Sequence, residues 1–229
     1  MIRLNITAEG KTEQEFASMV LTPHLAARNV LLSKPRLAAL GKKADLVHRG
    51  GVLRYLPFKN DIIRWLKEDR RPDARFTTMI DLYALPKDFP GYEEARKVPD
   101  CYQRVGKLEA ALKADIDDRR LIPYIQLHEF EALLLSAPEK FTDYSPYSGM
   151  KRQIDSLTEL CAAYDTPEKI DDGEQTAPSK RIGAEIPGYL YAKPTAGPII
   201  AAAIGIPAMR AKCPHFHNWL SELEQLAGC

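Results

Sequence analysis

The chain has 229 residues, 45% hydrophobic and 28% charged, which is enough apolar side chain to bury a substantial core in one large domain. Its 32 basic and 31 acidic residues leave a formal net charge of +1, so no global field draws it to polyanions, and nucleic-acid binding needs a local basic surface. Four scattered cysteines, Cys101, Cys161, Cys213 and Cys229, form no CxxC pair and no disulfide spacing, and read as reduced thiols.

The opening MIRLNITAEG has no basic region followed by an apolar one, and no later apolar run is long enough for a bilayer. The expectation is therefore a soluble, unexported, cytoplasmic protein with no membrane partner. Within that opening, residues 2 to 8 alternate apolar and polar side chains and end on Glu9-Gly10, which reads as a first strand and a turn. Thr12 stands three residues before Glu15, the spacing of a capping box, and Phe16, Met19, Val20 and Leu25 continue as a helical stripe. Residues 30 to 40 read as a weaker strand interrupted by Pro35, and HRGG at 48 to 51 precedes a helix through Ile62, Ile63, Trp65 and Leu66.

FTTMIDLY, residues 76 to 83, is the best buried-strand candidate. Helical periodicity over 101 to 117 and a strand over LIPYIQL, 121 to 127, complete a β-α-β-α-β-α-β order, the pattern of a mainly parallel sheet. Beyond residue 129 the pattern is helical in EFEALLL, in 150 to 164 and in 214 to 226, with an exposed loop at 165 to 178 carrying Asp171, Asp172 and Gly173. The expected organisation is an α/β core over 1–135 and a helical C-terminal extension over 136–229, packed as one domain.

Ligands of an open parallel sheet bind at the carboxyl ends of its strands, and acidic residues fall at three of them: Glu9, Asp81 and the pair Glu129/Glu131. Converging carboxylates suit Mg²⁺ or Mn²⁺, which keep waters for substrate phosphates, an arrangement for phosphoryl transfer. The structural alternative is that Glu13, Glu15, Glu129 and Glu131 sit in first helical turns, where negative charge meets the helix dipole, and Glu15 is assigned to capping. Asp81 resists that alternative, because a charge in an apolar strand costs free energy unless it is paired or metal-bound. His128 adjoins Glu129 as a possible proton carrier or a structural hydrogen-bond partner. Cys213, His215 and His217 in CPHFH carry zinc-capable atoms, but at a spacing that fits no standard zinc pattern. No P-loop, nucleophile elbow or GxGxxG occurs, which argues against ATP hydrolysis by the chain itself.

Four ordered blocks, ITAEGKTEQEF, TTMIDLYALPKDFPG, YIQLHEFEALLLS and SKRI…YAKPTAG…IGIPAMRAKCPHFHNWL, resemble the family catalogued as domain of unknown function 4276. That family looks Toprim-like. The resemblance implies the metal site of topoisomerases, primases and the defence nucleases named for overcoming lysogenization defect, with a Glu after the first strand and a DxD at a later one. Glu9 and Asp81 take those positions, while Tyr83 stands where the second Asp of DxD falls, so one acidic ligand of the wider pattern is missing. Glu13, Glu129 and Glu131 are the further carboxylates available to a metal, and Lys180, Arg181, Lys193 and Arg210 are the cations available to a phosphate.

The reading is a Mg²⁺- or Mn²⁺-dependent nuclease with Glu9, Asp81, Glu129, Lys180 and Lys193 as its catalytic set. The resemblance further implies a role in prokaryotic antiviral defence beside an ABC-like ATPase. The alternative is a binding or regulatory subunit of such an ATPase, in which the altered DxD has lost catalysis.

Overall fold

The computed structural model describes residues 1–38, 54–170 and 176–228. The sheet is built on β1 (Ile2–Ala8), which pairs in parallel with β2 (Val30–Leu32) and β3 (Arg36–Leu37) on one side and with β4 (Ala74–Asp81) on the other. β4 pairs in parallel with β5 (Leu121–Ile122) and β6 (Ile125–Gln126), giving the order β2-β1-β4-β5 with β3 and β6 extending the same edges. Six parallel strands with helices around them make an α/β fold of Rossmann-like arrangement. Pro35 and Pro123 explain why each outer strand comes as two short pieces, since proline offers no N–H to a ladder. At the second break, Thr78 fills in: its hydroxyl donates to Tyr124 O at 2.8 Å and accepts from Tyr124 N at 2.9 Å. LIPYIQL is thus two strands in one continuous register, not one strand.

The helices are α1 (Lys11–Phe16), α2 (Thr22–Ala26) after a π-helical turn at Ala17–Leu21, α3 (Tyr55–Glu68), α4 (Tyr92–Ala95), α5 (Cys101–Ile116), α6 (Glu131–Leu134), α7 (Lys151–Ala162), α8 (Pro178–Glu185), α9 (Tyr189–Ile204), α10 (Ile206–Lys212) and α11 (Pro214–Gln225). HRGG at 48 to 51 and Asp171, Asp172 and Gly173 lie outside the described residues, as does Cys229.

β4 supplies apolar residues to both faces of the sheet, whereas β1 supplies them to one and carries Arg3, Asn5 and Thr7 at the alternate positions. One face buries Leu4, Ile6 and Met79 with Phe16, Leu21, Phe130, Ile200, Phe216 and Trp219. The other buries Ala74, Phe76 and Ile80 with Phe58, Ile62 and Trp65 of α3 and Val105, Leu108 and Leu112 of α5. α11 is fastened to the sheet through Trp219, which stacks on Tyr124 with centroids 4.1 Å apart and donates from Nε1 to Thr77 Oγ1 at 2.9 Å. At the start of α11, buried Glu168 accepts the N–H groups of His215 and Phe216 at 2.9 and 3.0 Å, the donors that a helix N-terminus leaves open.

α9 is apolar on nearly every side and carries Pro194 and Pro198 inside it, which hides it from periodicity. It crosses α1 at Gly197, where an added Cβ would stand 3.0 Å from Thr12 Cγ2 and 3.2 Å from Phe130 Cε1. Gly197→Ala is therefore expected to destabilise the fold by about 1–3 kcal/mol, the usual cost of overpacking, as a lowered urea midpoint. An unchanged midpoint would mean that the two helices separate freely.

Candidate metal and phosphoryl-transfer site

β1 and β4 run side by side with Ala8 opposite Met79, so their carboxyl ends deliver Glu9 and Asp81 to one place. Glu9 N–H donates to Met79 O at 2.9 Å, which continues the ladder by one bond, and Asp81 N–H donates to Glu9 Oε2 at 2.7 Å. The two carboxylates named first from sequence are thus neighbours, joined through a main-chain amide.

α1 starts one residue on. Its N-cap is Gly10, whose N–H donates to Glu13 Oε2 at 2.8 Å, while Thr12 is buried within the first turn. The cap expected from Thr12 and Glu15 is instead made two residues earlier, and Glu13 rather than Glu15 is the capping acid, with Gly10 offering its N–H but no side chain in return. That bond turns Glu13 toward Glu9.

The second pair of acids arrives through a strained turn. His128, buried between β6 and α6, has φ +62°, a conformation a non-glycine side chain adopts at a cost. Its carbonyl accepts Tyr83 N–H at 3.2 Å and its ring lies 5.3 Å from the Tyr83 ring. Tyr83 thus packs on the turn that presents Glu129 and Glu131. Glu129 Oε2 accepts Ser179 N–H at 2.9 Å, in the first turn of α8. Glu131 Oε1 accepts Tyr189 OH at 3.0 Å and lies 3.1 Å from Lys193 Nζ, both from α9.

Glu9, Glu13, Asp81, Glu129 and Glu131 consequently act on one another electrostatically. Burial, then the Glu13 charge, pushes Glu9 up to about 8, although the Asp81 amide works the other way. Burial also pushes Glu13 up to about 7, against the hydrogen bonds it accepts from backbone. Asp81 is driven well above the usual carboxylate range by burial and by Glu9, and Glu131 is raised by burial against the pull of Lys193. Burial alone would lower the Lys193 ammonium, but Glu131 and Glu129 outweigh it and the net shift is upward. Asp81 Oδ1 is buried with no hydrogen-bond partner.

The donor set fits a hard divalent cation. All five groups are carboxylates, each glutamate is held through one oxygen, and Asp81 Oδ1 is orphaned. As the side chains stand, no three His, Cys, Asp or Glu groups among the described residues meet on one point, and each glutamate is held by a backbone amide or, for Glu131, by Tyr189 and Lys193.

The proposed cations divide. Lys193 is in the cluster and its side chain is 30% exposed, enough to meet a substrate. Lys180 is exposed in the first turn of α8 beside Ser179, with no ion pair to the carboxylates among the described residues, and Arg181 follows half-buried. Arg210 is elsewhere: it binds Glu224 at 2.7 Å and Ser221 at 2.7 Å, and Glu224 also takes His24 at 2.6 Å, a tie between α2, α10 and α11. CPHFH does not converge either, since Cys213 Sγ faces Ala132 O, His215 faces Glu109 at 3.0 Å and His217 accepts from Arg210 Nε. Tyr189 and the Ser179 amide are site members that sequence reasoning missed. Nothing in their spacing, 58 and 50 residues from their partners, signals the contact.

No helix among the described residues is long and apolar enough to cross a membrane. No curated protein and no solved structure matches the chain. Residues 8–224 match the family model described as a domain of unknown function, DUF4276, and the chain belongs to that family.

Proposed function

We propose that this protein is a divalent-metal-dependent nuclease that hydrolyses phosphodiester bonds in DNA or RNA. The observation that carries the reading is a group of five mutually repelling carboxylates at the carboxyl end of a parallel sheet, with one lysine among them and one buried oxygen unpartnered. A structural ion-pair network would balance its charges, and this one does not. Asp81, Glu9 and Glu13 would hold Mg²⁺ or Mn²⁺, with Glu129 or Glu131 completing the set. The bound ion supplies Lewis-acid polarisation of a phosphoryl oxygen and neutralises developing charge.

Without metal, burial and the Glu13 charge raise Glu9 to about 8, so it holds a proton at neutral pH, and a cation displaces that proton to leave Glu9 as a metal ligand or as the base for an attacking water. Lys193 sets its ammonium toward the phosphate while Glu131 and Tyr189 fix its position. Exposed Lys180 stands at the rim for a neighbouring phosphate. The Toprim-like resemblance supports the same chemistry, and adds antiviral defence with an ABC-like ATPase partner as the setting. A second reading, a catalytically degenerate binding subunit of that ATPase, is favoured by Tyr83, whose ring packs on His128 at the place of a metal-ligating acid.

One measurement separates these readings, and a second tests the carboxylate cluster itself. Labelled single-stranded DNA, duplex DNA and tRNA are incubated with Mg²⁺ or Mn²⁺, with the wild type, Glu9→Gln and Asp81→Asn. The nuclease gives metal-dependent cleavage that falls by at least about 100-fold in both variants. No wild-type cleavage, even with an ABC-type ATPase co-expressed, moves the assignment to the binding subunit.

The second uses stability. Without metal, the folded protein keeps protons on Glu9 and Glu13 up to about 8 and 7, whereas the unfolded chain releases them near 4.5. The folded state then binds more protons, so this contribution is complete below the unfolded value and is lost as pH rises through the folded ones. The thermal midpoint in EDTA is expected to fall between about pH 5 and pH 9, less steeply in Glu9→Gln. Mg²⁺ or Mn²⁺ should restore it, and more at the alkaline end, because metal and protons compete for the same oxygens. A pH-independent midpoint would count against an enclosed carboxylate cluster.

A further inference from the structure

A groove of about 480 Å³ opens between β1, the connection from β2 to β3 and the end of α3, within the size range of ligand sites. Arg3, Lys34, Arg36 and Arg71 line it, together with Glu68 and Asp69. Arg36 pairs with Glu68 at 2.7 Å and Arg71 with Asp69 at 2.9 Å, while Arg3 and Lys34 have no ion pair among the described residues. The groove therefore has surplus positive charge in a protein whose total is close to neutral.

Arg36 is preorganised as well as charged. Its guanidinium carbon lies 4.2 Å from the centroid of the Trp65 ring, which is itself buried in the core, and the arginine side chain stays 46% exposed. A guanidinium plane braced on an aromatic ring has its outer face free to stack on a base or fork onto a phosphate.

The groove lies along the strand that ends at the acidic site. Arg36 stands beside Thr7 in the strand register, two residues before Glu9, or about 7 Å at the rise of a strand. Arg3, at the other end, is about 20 Å from Glu9 on the same rise, roughly six steps of a nucleic-acid strand. The two regions share a wall, since Gln14 of α1, next to Glu13, donates from Nε2 to Pro35 O at 2.7 Å.

We propose that this groove is the track for the phosphodiester backbone of a nucleic-acid strand whose scissile bond lies at the carboxylate cluster. The proposal rests on the nuclease reading and explains what that site lacks. Five carboxylates and one lysine repel a polyanion, and a net charge of +1 does not attract one, so affinity has to come from cations placed beside the site. Arg3 and Lys34 contribute directly, and Arg36 can exchange Glu68 for phosphate at little cost because both sides of that pair are exposed, while Arg71 stays forked onto buried Asp69.

The test is binding without cleavage: fluorescence anisotropy of a labelled single strand in EDTA, titrated at several salt concentrations. Lys34→Glu/Arg36→Glu is expected to weaken binding by at least about tenfold and to reduce the slope of log affinity against log salt by about 1.4, two phosphate contacts at 0.7 each. Unchanged circular dichroism shows that the variant is folded; otherwise Lys34→Glu alone, at an exposed residue without an ion pair, is expected to weaken binding about threefold. Equal binding by wild type and folded variant would overturn the track while leaving the nuclease to the cleavage assay. Displacement of the strand by an equimolar mononucleotide would also overturn it, making the groove a free-nucleotide site. So would the absence of wild-type binding to single strand, duplex and tRNA alike.

Discussion

Repulsion among five carboxylates at the carboxyl ends of β1 and β4 is the constraint to which the neighbouring structure answers. Enclosing one such group costs several kcal/mol unless a donor or an opposite charge meets it. The chain answers mostly with backbone: Asp81 N–H for Glu9, Gly10 N–H for Glu13 and Ser179 N–H for Glu129. Among the described residues Glu131 pairs with Lys193, whose charge also acts on Glu13, and Asp81 Oδ1 has no hydrogen-bond partner. The remaining negative charge has to be taken up by protons, which is what the raised carboxyl values express, or by a cation.

Much of the architecture around the sheet serves to bring those donors in. Gly197 lets α9 come within contact of Thr12 and Phe130, and that approach carries Tyr189 and Lys193 to Glu131. The left-handed backbone at His128 redirects the chain as it leaves β6, and the Tyr83 amide holds that turn in place. α11 is fixed on the same face through Trp219, Thr77 and Tyr124. Site and core are therefore one construction, in which a packing change at α9 bears on the position of Lys193.

Where sequence reasoning failed, it failed for identifiable reasons. Thr12/Glu15 and Gly10/Glu13 have the same three-residue spacing, and the frame was decided by burial of Thr12 against α9, a contact with residues nearly two hundred positions away. LIPYIQL has the composition of one strand, but Pro123 cannot join the ladder and Thr78 has to bridge the gap with its side chain. α9 lacks a polar face and carries two prolines, so neither periodicity nor propensity reports it. Arg210 and CPHFH are rich in functional atoms, yet each atom is taken by a local structural partner.

The sequence by itself determined the parallel α/β core, the strands β1 and β4, and the carboxylates Glu9 and Asp81 at their ends. Those features follow from local burial pattern and from the rule that acids just past a strand lie at the mouth of a sheet. Only the tertiary structure decided which of the candidates Glu13, Glu129, Glu131 and Lys193 join them, that Arg210 does not, and that Arg3, Lys34 and Arg36 line one groove. Electrostatic coupling depends on distance and enclosure, and both are set by how helices far apart in the chain pack on the two faces of the sheet.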